Sequence, residues 1–419
     1  MLWLFAAALV IRLLYVGAGF EVPVQDTADY DEIAHNLLAG EGFVASSNWF
    51  GYELRAWRAP LYPLFLSVIY ATFGDGHDAV RFVQAVLGAL TVVLVYLLTA
   101  RLHAAAAPAA GWLAVFYMPL VASANEVMTE SLFTVLFVAG IAVAIEARHP
   151  RDWRWSLGAG LLLGLATLTR PVAMLAVPAI LLVSACEDLR RRAPLWGRWL
   201  SFAAPLWAGL VVALLPWTVR NAALFGAFVP SSTHGGFIVA RSNADEPAWR
   251  QAHGWRIDAA VFAEEPDEIE RDRRWMAQGL QWIADHPLPW LQLVGERFLR
   301  FWYIFQPGYN AVFAFIIPYM LAGMWWRGGS PGFRHLSAVS AFSIAVFCLL
   351  LYGSTRFRLP LEPIFLVFVA AAFVEGWRRW RAGFLAVSGC WLACNGLLRL
   401  FDDSVRQTVV SMLRAGGLK

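Results

Sequence analysis

The sequence predicts an all-α polytopic membrane protein, and three observations carry that prediction. Of 419 residues, 59% are hydrophobic and only 15% are charged, with a mean hydropathy of +0.56. A soluble domain carries about 25% charge, so this chain has too few charges to cover a fold in water. Apolar runs close to the ~20 residues needed to cross hydrocarbon recur along it. The 21 tryptophans suit helix ends at the headgroup level. The net charge of +3 gives no footing for a nucleic-acid partner, which calls for a basic surface.

The runs fall at 2–20, 80–100, 109–124, 131–147, 156–169, 171–186, 200–217, 311–326, 336–353, 360–376 and 383–399. They predict about 11 transmembrane helices, within a range of 10–12. The first run contains Arg12 and is followed by no small-residue cleavage site, so it reads as a retained span. Arg170-Pro171 breaks the chain between the fifth and sixth runs. Cys186, Cys348, Cys390 and Cys394 lie in or near apolar runs and read as small buried hydrophobes. No internal repeat of the transporter kind is visible.

Charge orients the bundle. Basic clusters occupy the short loops 148–154, 188–198, 327–334 and 377–381, and Arg101 and His103 follow the second run. Short basic loops face the cytoplasm, and with these spans all five fall on one side. Residues 60–74 are apolar but short. Counting them as a crossing would put the four large basic clusters outside, so they read as an interfacial or re-entrant helix. The chain then divides into 1–217 with a first outer loop at 21–79, an outward segment at 218–310, C-terminal spans at 311–399, and an amphipathic tail at 400–419. That tail falls outside despite its arginines, unless the last run is not a full crossing.

Polar residues able to do chemistry collect on the outer side. In DTADYDEIAHNLLAG, Asp26 and Tyr30 are four apart and share a helix face. Asp29, Asp31 and Glu32 add to an acidic group that would also suit a plain helix start. Arg58, in RAPLYP with Tyr62, stands at the mouth of 60–74. There it can meet a phosphate bidentately or anchor to headgroups. Glu126 and Glu130 lie in NEVMTES, close to a span end, where a carboxylate needs water or a partner. Arg170, Arg220, Arg356 and Arg358 end spans on the same side. Separated carboxylates and arginines beside a lipid surface suit group transfer from a lipid phosphate. A carboxylate would act as general base, and arginines would stabilise the leaving phosphate.

These motifs resemble the GT-C superfamily of polyprenyl-phosphate-dependent glycosyltransferases. The nearest branch holds the protein O-mannosyltransferases and the aminoarabinose transferase that modifies lipid A. The carriers are Asp26-x-x-x-Tyr30 with IAHNLLAGEGF, RAPLYPLFLSVIYATFG, NEVMTESLF, GLATLTRP, PWTVRNAALFGAFVP and RFRLPLEP, over most of residues 1–380. The resemblance makes 1–217 the catalytic transmembrane module. It implies a hexosyl- or pentosyltransferase whose donor is a sugar on dolichyl or undecaprenyl phosphate, with transfer by inversion and Asp26 as the base. Many relatives carry Asp-Glu where this chain has Asp26-Thr27, so the second acid's work passes to Asp29 or is not done. Glu130 resembles the second-loop acid, with Glu126 its rival. Arg58, Arg170, Arg356 and Arg358 would bind the donor phosphate. Asp29, Tyr30, Tyr62, Glu126 and Arg220 would position donor or acceptor. No metal and no cofactor are expected. The acceptor is open among protein, lipid A, glycan and other lipid. The expected site is the extracytoplasmic face of the plasma (inner) membrane, with specificity in 218–310 and in the groove between helices.

Two other classes compete. A transporter or flippase of a lipid-linked substrate would need charges at span centres, where Arg12 is the main one. A catalytically silent scaffold would use only the outer loops.

Overall fold

The computed structural model describes residues 1–19, 26–46, 51–147, 153–190, 199–245, 247, 267–303 and 312–400. The basic loop residues 148–152 and 191–198, much of the polar stretch 245–275, and the tail 401–419 lie outside them. The described residues are helical without strands, apart from an isolated bridge between Ala45 and Leu54.

Among the described residues, each apolar run is largely helical. The first is α1 (Leu2–Gly17); the first outer loop supplies α2 (Asp26–Ala39) and α3 (Leu61–Phe73). There follow α4 (His77–Leu102), α5 (Ala107–Phe116), α6 (Met118–Ala122), α7 (Glu130–Glu146), α8 (Trp153–Thr169), α9 (Ala176–Arg190) and α10 (Ala204–Phe225). The outer segment forms α11 (Gly235–Ser242), α12 (Glu268–Asp285) and α13 (Pro287–Phe301). The last elements are α14 (Phe313–Arg327), α15 (Phe333–Leu349), α16 (Thr355–Arg358) and α17 (Glu362–Leu400). Among the described residues, four stretches are long and apolar enough to cross a bilayer by length and composition: His77–Leu102, Pro171–Arg190, Leu200–Phe225 and Thr355–Leu397. The third run is split at Tyr117 between α5 and α6. The last two runs are halves of α17, bent at Trp380. The second half turns back, so that Phe384 packs on Phe373 and Tyr319 and Trp391 donates to the Ala314 carbonyl.

α3 has 13 residues, too few to cross hydrocarbon. It lies against α2 and α4, with Tyr62 donating to Gln84 at 2.9 Å. α8 and α10 meet backbone to backbone. A Cβ on Gly160 would fall on the Leu206 carbonyl, and one on Gly209 on the Leu157 carbonyl. Close approach through small residues is how helices associate where lipid offers no hydrophobic drive. The outer side of α10 leaves Trp207, Val211, Leu215 and Val219 largely exposed. That apolar stripe at four-residue spacing suits lipid rather than water.

Ion pairs mark the two ends of the bundle. At one end Arg101 pairs with Glu146, Arg334 with Glu187, and Glu375 with His103, Arg327 and Arg379. Among the described residues, Arg101, His103, Arg327, Arg334 and Arg379, all assigned to one face by loop charge, are thus found together at one end. The acidic and basic candidates from α2, α7, α8 and α16 meet at the other.

Candidate active site

Five chain segments converge at that second end. The first turn of α2 brings Asp26, Asp29 and Tyr30, with acids where the helix dipole favours them. Arg58 comes from the loop before Pro60, which caps α3. Glu130 opens α7, Arg170 follows α8, and Arg356 stands on α16.

They form one alternating chain of charge. Arg58 donates to Asp29 through Nε (3.0 Å) and Nη2 (2.6 Å), and through Nη2 to Asp26 Oδ1 (2.9 Å). Arg356 donates to Asp26 Oδ2 (2.9 Å) and to Glu130 Oε1 (2.6 Å). Arg170 donates to the same Glu130 oxygen (2.7 Å) and to the Thr129 hydroxyl (2.7 Å). Three carboxylates and three guanidiniums thus balance. Nη1 of Arg58 and of Arg170 makes no hydrogen bond among the described residues. Burial opposes ionisation of Asp26, but the charges of Arg58 and Arg356 and their hydrogen bonds outweigh it and hold its carboxyl below the usual range. Arg58 is held more firmly protonated than usual: burial works against its charge, but Tyr30, Asp26 and Asp29 prevail.

A cavity of about 680 Å³ opens beside this network. Its polar end is lined by Asp26, Asp29, Arg58, Arg170, Arg356 and His234, and its other end by Phe133, Phe137, Val172, Val346, Phe347 and Leu351. The cavity is therefore amphipathic, charged at the outer end and apolar where it runs between α7, the turn before α9, and α15.

The structure separates the sequence candidates. Asp26, Asp29, Tyr30, Arg58, Arg170 and Arg356 line the cavity. Glu130, expected as a catalytic acid, does not: at 1% exposure it lies behind the arginines and holds both. Arg358, expected on the phosphate beside Arg356, turns inward to Glu362 (2.7 Å) and the Phe301 carbonyl (2.8 Å). Residues two apart on a helical turn do not share a face. Arg220 binds the Arg55 carbonyl and stacks over Trp217, away from the cavity. Glu126 also lies off the cavity wall, its carbonyl taking the Gln84 amide. Tyr62 is buried beneath Tyr30, edge to face at 5.1 Å. Thr27, beside Asp26, donates its hydroxyl to the Val127 carbonyl (3.2 Å).

Sequence reasoning missed His234 and Trp57. Both line the polar end of the cavity, their rings 4.3 Å apart. The signal available was a histidine set between hydroxyl residues and Gly235-Gly236 in an outer segment already assigned specificity. Among the described residues, no three His, Cys, Asp or Glu side chains group as metal ligands would.

Residues 57–217 match the family model described as dolichyl-phosphate-mannose-protein mannosyltransferase. No curated protein sequence matches the chain significantly. The fold is similar to ArnT from Cupriavidus metallidurans bound to undecaprenyl phosphate, with TM-score 0.62 and 17% identity over 95% of this chain and 64% of that one. It is also similar to the Archaeoglobus fulgidus oligosaccharyltransferase with Zn and sulfate (TM-score 0.60, 15% identity, 94% of this chain and 52% of that one). A third similar structure is AglB from the same organism with an inhibitory peptide and a dolichol-phosphate (TM-score 0.57, 15% identity, 95% of this chain and 54% of that one). The chain spans between about half and two thirds of the length of these structures. The GT-C resemblance drawn from the motifs is borne out by the family match and by both kinds of structure.

Proposed function

From a GT-C fold that encloses an amphipathic cavity, we propose that this chain is a membrane glycosyltransferase. It moves a sugar from a polyprenyl phosphate to an acceptor hydroxyl or amine on the extracytoplasmic face of the plasma membrane. The observation that carries this reading is the cavity itself. Three arginines at one end and phenylalanines along the other fit a molecule with an anionic head and a hydrocarbon tail. The similar ArnT and AglB structures, with undecaprenyl phosphate and dolichol-phosphate, support that choice of ligand.

The chemistry follows from the charge chain. The acceptor oxygen or nitrogen attacks C1 of the sugar from the face opposite the phosphate. The C1–O bond breaks, and the phosphate leaves with the electron pair. The acceptor's proton passes to the Asp26 carboxylate. With both Asp26 oxygens accepting from arginine, the carboxylate is a poor base. A phosphate competing for Arg58 and Arg356 frees an oxygen and restores its basicity. Donor binding thereby prepares the base. Arg170 joins the same phosphate, while Glu130 keeps Arg170 and Arg356 extended and charged.

The test is transfer by purified protein in lipid nanodiscs, using undecaprenyl phosphate carrying different sugars, with mass spectrometry of the lipid that co-purifies. Asp26→Asn should lower transfer by at least ~100-fold, the scale of a lost general base, while still binding undecaprenyl phosphate. Wild-type rates from Asp26→Asn would sink the mechanism. Lipid translocation without sugar transfer would favour a flippase instead.

A further inference from the structure

We propose that His234 recognises the sugar ring of the donor, forming with Trp57 a neutral subsite beside the phosphate position of Arg58. The inference rests on the function proposed above and adds the residue that reads the sugar.

The charged groups of the cavity's polar end are already paired with one another, and charge suits the phosphate. A sugar needs neutral groups that both donate and accept, because each hydroxyl does both. A neutral imidazole carries one N–H and one lone pair. The ring nitrogens of His234 make no hydrogen bond among the described residues, so both remain for a ligand. Its ring is fixed between Trp57 at 4.3 Å and Phe237 at 5.5 Å, leaving little rotamer entropy to lose on binding. Burial first, and then the charge of Arg58, lower the imidazole pKa to about 3 against the opposing pull of Asp26. The ring is therefore neutral throughout the working pH range.

The frame is rigid. The Thr233 N–H donates to the Ala56 carbonyl at 2.9 Å. The Glu268 carboxylate accepts from Arg55 N–H (2.7 Å), Ala56 N–H (3.1 Å) and the Thr233 hydroxyl. Residues 55–58 and 231–234 are thus tied together directly before Arg58 and His234. The sugar is bonded to the phosphate, so a ring whose phosphate sits at Arg58 lies within reach of this frame.

The experiment measures binding by native mass spectrometry. The probes are undecaprenyl phosphate alone and undecaprenyl phosphate carrying mannose, glucose or 4-amino-4-deoxyarabinose. Wild type should bind at least one sugar-bearing lipid about tenfold more tightly than the bare lipid. His234→Phe keeps the ring stack but removes both nitrogens. It should erase that gain while holding the bare lipid within twofold, and His234→Gln should restore part of it. The inference is overturned if His234→Phe keeps the gain, if it weakens the bare lipid equally, or if wild type shows no gain for any sugar. Wild type that binds no polyprenyl phosphate at all overturns the proposed function along with it.

Discussion

Glu130 shows how much one side chain can decide. At 1% exposure its Oε1 accepts from both Arg170 and Arg356. Removing it leaves the Arg170 guanidinium without its carboxylate partner and Arg356 with Asp26 alone. Breaking a buried pair from one side costs about 3 kcal/mol. Glu130→Ala is therefore expected to lose about that much stability in thermal unfolding in detergent, and to weaken undecaprenyl phosphate binding. A loss within experimental error would mean the pair is not coupled. Asp26 gives a pH prediction. Its folded pKa lies below the usual value, so its ion pairs contribute stability that is fully present above about pH 4, the unfolded carboxylate range. That contribution is lost only as pH falls through the lower folded value. As the proposed base, Asp26 thus stays ionised in the unliganded protein, and kcat/KM should show no acid limb between pH 7 and pH 5. A break at pH 6 would assign the base to another group.

At the scale of elements, α11 and α12 hold the polar end of the site from outside. Glu268 does not line the cavity, yet it fixes the backbone directly before Arg58. Glu268→Ala should weaken undecaprenyl phosphate binding severalfold while leaving the helical circular dichroism unchanged. Unchanged affinity would dismiss the clamp. One turn further along α12, Asp272 accepts from the Gly236 N–H at 2.6 Å. Burial lifts its carboxyl to about 6, against that hydrogen bond. Here the sign reverses. Between about pH 4 and pH 6 the folded state binds the proton more readily than the unfolded chain, so Asp272 makes the fold less stable as pH rises. Asp272→Asn should stabilise by about 1–2 kcal/mol at pH 7.5, a figure discounted for partial solvent access. The gain should shrink from about pH 6 downward and vanish only below about pH 4; equal gains at pH 7.5 and below pH 4 would refute the burial account.

Over the whole molecule, charge distinguishes two ends. The basic loop ends, with Arg101, Arg327, Arg334 and Arg379, share one end. The cavity mouth, with Asp26, Arg58 and Arg356, occupies the other. In a form with the four native cysteines replaced, single cysteines at Asp31 and Gly329 should label with impermeant maleimide from opposite sides, Gly329 from the cytoplasm. Labelling of both from one side would overturn the orientation. The exposed stripe of α10 and the glycine contact behind it place one face in lipid and the other in the bundle. Gly160→Leu, which drives a side chain into the α10 backbone, should abolish stable expression, whereas Val211→Leu on the lipid side should not.

The sequence by itself determined the eleven apolar runs, the clustering of basic loops, and the pool of outer acids and arginines. These are local properties: hydropathy sets what lies in lipid, and loop charge sets which end is which. Asp26, Arg58, Arg170 and Arg356 could be picked out because unpaired charge near a span end needs a reason. Only the tertiary structure decided which charges meet. It turned Arg358 inward to Glu362, set Glu130 behind the arginines, and carried Arg220 to a backbone carbonyl. Each outcome depends on which way a side chain points from a packed helix, and that is settled by neighbours distant in sequence. It also brought His234 beside Arg58 across 176 positions of chain, through hydrogen bonds to Glu268 that no local pattern announces.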